Sequence, residues 1–132
     1  MTGSAFGKIV DEMTQYAVQA DAFNAAPAKL IIKYHDREHL WATENTALMA
    51  AMDQVFRRRL ALGGTVFLSG VADAVSGRSY VTVVIPPGAW VQFSYTDYDG
   101  DSPSAVTTLV EDQVERFGGL VLGPEDTIIE QH

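Results

Sequence analysis

The chain has 132 residues, of which 47% are apolar and 20% charged, so the composition is that of one globular domain (residues 1–132) rather than of a disordered or membrane-spanning chain. Asp and Glu number 17 against 9 Lys and Arg, a formal net charge of −8 that repels nucleic-acid phosphates and, by its sign, suits a basic protein partner. Cysteine is absent, which excludes disulfides and thiolate chemistry, and the start Met1-Thr2-Gly3-Ser4 has neither the basic flank nor the apolar stretch of a secretory signal; a cytoplasmic protein is expected.

Phe6, Ile9, Val10, Met13, Ala17 and Ala20 recur at three- and four-residue spacings and predict a first amphipathic helix, with Asp11, Glu12, Gln15 and Gln19 on its other side. Pro27 closes the next loop. Leu30, Ile32 and Tyr34 then alternate with Lys29 and Lys33, the pattern of a half-buried strand, and a turn at Asp36-Arg37 returns a short strand around Leu40 and Trp41. From Thr43 to Leu62 there is no Gly or Pro, and Leu48, Met49, Met52, Val55, Phe56 and Leu60 make the broad apolar face of the longest helix, ended by Gly63-Gly64. Val66, Phe67 and Leu68 begin a strand, Tyr80 to Ile85 form another, and Ala89 to Thr96 a third after the turn Pro86-Pro87-Gly88. Ser102 and Pro103 mark the start of a last helix, with Val106, Leu109, Val110, Val114 and Phe117 on its buried stripe. Gly118-Gly119 stops it, and an apolar tail follows at Leu120 to Leu122 and Ile128-Ile129. The order α-β(β)-α-β-β-β-α predicts an α+β fold: a mostly antiparallel sheet of about four to five strands with three helices.

Three clusters carry candidate chemistry. His35-Asp36-Arg37-Glu38-His39 fits the bare H-x-x-E-H pattern of a zinc hydrolase, in which two histidines bind the metal and the glutamate activates water. On a helix the two rings would converge; on a strand they would stand about 13 Å apart. The alternation before them favours the strand, and with it two histidines around a turn. Asp97, Asp99 and Asp101 have the alternate spacing with which calcium loops begin, but Ser102 and Thr108 stand where the glycine and the bidentate glutamate belong, so turn and cap chemistry is the preferred reading. Arg57, Arg58 and Arg59 lie at the C-terminal end of a helix, where cations complement the dipole and anion binding by backbone amides does not occur. No catalytic residue, metal or cofactor is assigned, and an enzyme is the less favoured class.

The turn Pro86-Pro87-Gly88 is expected to close a hairpin in which Ile85 pairs with Ala89. Val81, Val83, Ile85, Ala89, Val91, Phe93 and Tyr95 would then share one apolar face, and Tyr80, Thr82, Val84, Trp90, Gln92 and Ser94 the other. That second face, half polar with Trp90 at its centre, is the candidate binding surface: Trp90, Tyr80 and Gln92, with Asp97, Tyr98, Asp99 and Asp101 of the following loop. The leading expectation is a small acidic non-enzymatic protein-binding domain, an inhibitor or immunity-type protein that masks a partner surface. The alternatives are a homodimeric scaffold or regulatory module, in which a sheet face or edge pairs with itself, and a small metal-dependent hydrolase using His35, Glu38 and His39. No nucleic-acid or membrane partner is expected.

Overall fold

A computed structural model describes residues 23–74, 77–96 and 104–132. The first expected helix, on residues 6–20, lies outside the described residues, as do the expected cap Ser102 and Pro103; residues 23–25 are helical and lead into the first strand. The elements then run β1 (Ala28–Tyr34), β2 (Arg37–Thr43), α1 (Thr46–Ala61), β3 (Val66–Ala74), β4 (Gly77–Ile85), β5 (Trp90–Tyr95), α2 (Ser104–Phe117), β6 (Gly119–Leu122), a short 3-10 helix (Pro124–Asp126) and β7 (Ile128–Ile129). The class is α+β with mostly antiparallel strands, in the expected order. Among the described residues the strands divide into two sheets: β2-β1-β5, here sheet A, and β4-β3-β6-β7, here sheet B. β3 and β6 run parallel and the other pairs antiparallel.

Local chemistry explains the element ends. Asn45 caps α1, its side chain accepting a hydrogen bond from the Leu48 amide at 3.0 Å, which satisfies one of the donors a helix start leaves without a partner. At the other end Gly63 takes φ +85, a conformation that suits glycine and lets the chain leave the helix. Gly118 does the same after α2 with φ +89.

One core joins both sheets to both long helices. Leu30 and Ile32 enter it from β1, Leu48, Met49, Met52, Val55 and Phe56 from α1, Val66 and Leu68 from β3, and Ile85 from β4. Val110 and Val114 come from α2, and Leu120 and Leu122 from β6. The Phe56 ring is fully buried and meets Phe93 of β5 edge to face, with centroids 6.5 Å apart. Phe117, expected on the buried stripe of α2, is only half-buried. It is the last residue of its helix, and Arg116 stands over its ring at 5.0 Å, so it packs under a guanidinium rather than among the core side chains.

The expected hairpin at Pro86-Pro87-Gly88 does not form. Ile85 pairs with Val66 of β3 in sheet B, whereas Trp90 pairs with Lys33 of β1 in sheet A. The Ala89 amide donates to the Pro86 carbonyl at 3.2 Å, with Pro87 and then Gly88 (φ +94) between them, the residue pattern of a type II turn. Such a turn splays the strands it connects, whereas hairpins need its mirror image, so the segment hands the chain from one sheet to the other. The alternation itself survives this change of partner. Val83, Ile85, Ala89, Val91, Phe93 and Tyr95 all face the shared core, from two sheets instead of one. Tyr80, Thr82 and Val84 turn outward on sheet B, and Trp90 and Gln92 turn outward on sheet A.

Candidate functional site

The outward side of sheet A is built from three strands in fixed register. Across it run three rows: Glu38, Lys33 and Trp90; Leu40, Ile31 and Gln92; Ala42, Lys29 and Ser94. Period-two alternation puts these residues on one face because their neighbours Leu30, Ile32, Val91 and Phe93 point into the core. Trp90 is 51% exposed and Leu40 54%, on opposite edge strands of the sheet, with the half-buried Ile31 beside Leu40 on the central strand. Lys33 Nζ lies 5.0 Å from the centroid of the Trp90 ring and 3.5 Å from Glu38 Oε2. Gln92 Nε2 donates to Ser94 Oγ at 3.2 Å. At the far end Lys29 Nζ donates to the Asn24 carbonyl at 2.8 Å and stands 5.7 Å from the Phe23 ring, so residues 23–25 border this face.

Chemically this face offers an aromatic contact at one corner, Trp90, and an aliphatic one on the opposite edge strand, Leu40, with Lys33 beside Trp90 and Lys29 in the row beyond Leu40. The indole N–H and the Gln92 amide supply hydrogen-bond capacity. Of the candidate residues, Trp90 and Gln92 are therefore together. Tyr80, 63% exposed, is not with them: it stands on the outward side of sheet B, because β4 and β5 belong to different sheets. Asp97, Tyr98, Asp99 and Asp101 lie outside the described residues.

The histidine cluster is pulled apart by strand geometry. His35 and Asp36 form the turn between β1 and β2, with His35 at φ 56 and its ring edge-on to Tyr34, centroids 4.2 Å apart. Glu38 and His39 are neighbours on β2 and so point to opposite sides of sheet A, Glu38 toward Lys33 on the outward side. Among the described residues no group of three or more His, Asp or Glu is placed to hold a metal ion.

The three arginines of α1 diverge as well. Arg57 Nε lies 3.4 Å from Asp53 Oδ1, Arg58 pairs with Glu111 of α2, and Arg59 Nε donates to the Thr65 carbonyl at 2.8 Å. Each guanidinium thus has a separate role in tying α1 to itself, to α2 or to the loop before β3, and together they make no converging anion site. Asp53 also accepts from Tyr95 Oη at 2.9 Å, which links α1 to β5.

Gln113 is a polar residue on the apolar stripe of α2 that periodicity alone does not single out. It is 2% exposed, and its Oε1 accepts from the Gln131 amide at 2.8 Å and from Gln131 Nε2 at 3.3 Å, fastening the segment after β7 to α2. The sign of its burial is its place three residues after Val110 and one before Val114, on the buried stripe of the helix. Nearby, Ala105, Thr108, Leu109, Asp112 and Glu130 line a shallow cleft between α2 and the same segment. Among the described residues no helix is long and apolar enough to cross a membrane. Comparison with protein families, with curated proteins and with solved structures gave no match.

Proposed function

We propose that this chain is a small acidic protein-binding domain that acts without catalysis, masking a surface on a protein partner in the manner of an inhibitor or immunity protein. The observation that carries the reading is Trp90, an indole half exposed on the outward side of a sheet whose other side is core. Tryptophan is the residue most favoured at the energetic centre of protein interfaces, where a large rigid ring gives up water at little cost in conformational freedom. Gln92 and Ser94 continue from it along β5, and Leu40 supplies a second apolar contact across the sheet.

The charges divide this expectation further. The Trp90 face carries Lys29 and Lys33 against Glu38, so the partner surface that meets it is apolar or aromatic, with carboxylates matching the lysines. A basic partner surface suits instead the acidic side chains of α2 and the segment after β6 that are not paired with Arg58 or Arg116: Glu115, Glu125, Asp126 and Glu130. Affinity capture from the native host with the wild-type chain and with Trp90→Ala tests the proposal. One protein recovered by the wild type and lost from the variant, with the variant still folded by circular dichroism, supports it; capture that does not depend on Trp90 removes its basis.

A further inference from the structure

Among the described residues the two sheets present four edges: β2 and β5 in sheet A, β4 and β7 in sheet B. An edge strand leaves every second residue with an N–H and a C=O that no ladder satisfies, and natural sheets blunt such edges by shortness, charge or proline. Three of these edges are blunted in that way. β2 carries Arg37, Glu38 and His39 on its exposed half, β5 has 6 residues and follows two prolines, and β7 has 2 residues. β4 is different. It has 9 residues, Gly77–Ile85, with no proline, no lysine and no carboxylate, and its one charged residue, Arg78, stands near its start in register with Asp73 of β3.

Its side chains add to the open backbone. On the outward side of sheet B, Tyr80 is 63% and Val84 61% exposed, and on the inward side Val81 is 40% exposed. The outward surface continues from β4 through the half-buried Phe67 of β3 and Val121 of β6 to Ile129 of β7, 43% exposed.

We propose that β4 is the interface for a second copy of this chain. The two β4 strands lie antiparallel about a two-fold axis at Thr82, joining two four-stranded sheets into one continuous sheet across the pair. The occupant follows from the sequence of the strand, since Tyr80-Val81-Thr82-Val83-Val84 is close to its own complement about its centre. With the axis at Thr82, Tyr80 of each copy stands opposite Val84 of the other on the outward side, and Val81 opposite Val83 on the inward side. Aromatic and β-branched residues directly opposite one another stabilise a sheet. With the axis at Val81 instead, Val84 would face Arg78 and Tyr80 would face Thr82, which wastes both apolar contacts. Two chains of net charge −8 repel, and β4, which carries no carboxylate, is the edge on which a copy meets least of that repulsion. This edge belongs to sheet B, whereas Trp90 stands on β5 of sheet A.

Sedimentation equilibrium of the full chain tests the proposal and its register together. The wild type is expected to be a dimer, and Val84→Lys, at a residue already exposed, is expected to give monomers with unchanged circular dichroism and melting temperature. The double variant Tyr80→Glu, Val84→Lys is expected to regain the dimer, because in this register the two new charges stand opposite each other across the axis. As the chain contains no cysteine, Thr82→Cys and Trp90→Cys also provide single attachment points for a short bismaleimide, and cross-linking is expected through position 82 and not through position 90. A wild type that stays monomeric at sub-millimolar concentration, a dimer that survives Val84→Lys, a double variant that stays monomeric, or cross-linking through position 90 would each overturn it.

Discussion

Lys33 Nζ stands 5.0 Å from the centroid of the Trp90 ring and 3.5 Å from Glu38 Oε2, so one lysine on the central strand of sheet A ties an indole on one edge strand to a carboxylate on the other. Both contacts are exposed. A cation over an exposed ring is worth about 0.5–1 kcal/mol and an exposed ion pair about the same or less, so Lys33 orients Trp90 without anchoring the fold to it.

It follows that Trp90→Ala should leave the melting temperature within a few degrees of the wild type, while weakening association with a partner by about 2 kcal/mol or more. Fluorescence checks the first half without a partner. Trp41 is half-buried against the core, so the measurement belongs on a Trp41→Phe background. Trp90 emission should be red-shifted and open to iodide quenching; blue-shifted, protected emission from the isolated chain would remove the free indole on which the binding proposal stands.

Phe56 and Phe117 separate a core aromatic from one that only looks like one in sequence. Phe56 is fully buried between α1 and β5, and Phe56→Ala should cost about 3–5 kcal/mol in urea denaturation. Phe117 is half-buried beneath Arg116, so Phe117→Ala should cost about 1–2 kcal/mol. Equal costs for the two would show that the C-terminal end of α2 packs more tightly than its exposure indicates.

These two residues also show how far local pattern reaches. The period of 3.6 identified the buried faces of α1 and α2, and the period of two identified the inward residues of β1, β4 and β5, because both depend on the backbone geometry of a single segment. Phe117 fits the α2 stripe equally well, yet a periodicity says nothing about whether a neighbour covers the last turn. Strand partners were less legible for a related reason. Tyr80 and Trp90 are ten residues apart across a turn that looks like a hairpin, but the turn has the hand that splays strands, and β5 pairs instead with β1, about sixty residues earlier in the chain. The exposure of Trp90 could be read from its own strand; its separation from Tyr80 could not.

Gln113 offers a test of how the segment after β7 is held. The side chain is buried, and its Oε1 accepts both the Gln131 amide and the Gln131 side chain, which in turn donates to the Gly119 carbonyl at 3.3 Å. Gln113→Leu keeps the volume apolar but leaves the Gln131 amide with no acceptor from α2. The expected cost is about 1–3 kcal/mol, with loss of hydrogen-exchange protection at Gln131 and retained protection in α1. Protection at Gln131 that matches the wild type would mean another group holds the segment.

Gly119 carries the sharpest steric prediction. It opens β6 in register with Phe67, on the parallel β3–β6 pair, and the Phe67 ring lies across it on the outward side of sheet B. A Cβ built on Gly119 would come within 2.1 Å of the Phe67 carbonyl oxygen and 2.6 Å of its ring. The ring can rotate away, but the carbonyl cannot move without shifting β3, whose residues Val66 and Leu68 sit in the core on either side of it. Gly119→Ala should therefore destabilise by about 3 kcal/mol or more, beyond the usual range for adding one methyl group. Gly63→Ala is the control that separates this clash from backbone strain. Gly63 has φ +85 but open space around it, so its substitution should cost only about 1 kcal/mol. Chemical denaturation of the two variants side by side decides the matter: a Gly119→Ala protein no less stable than Gly63→Ala would show that β3 and β6 are not held at this distance.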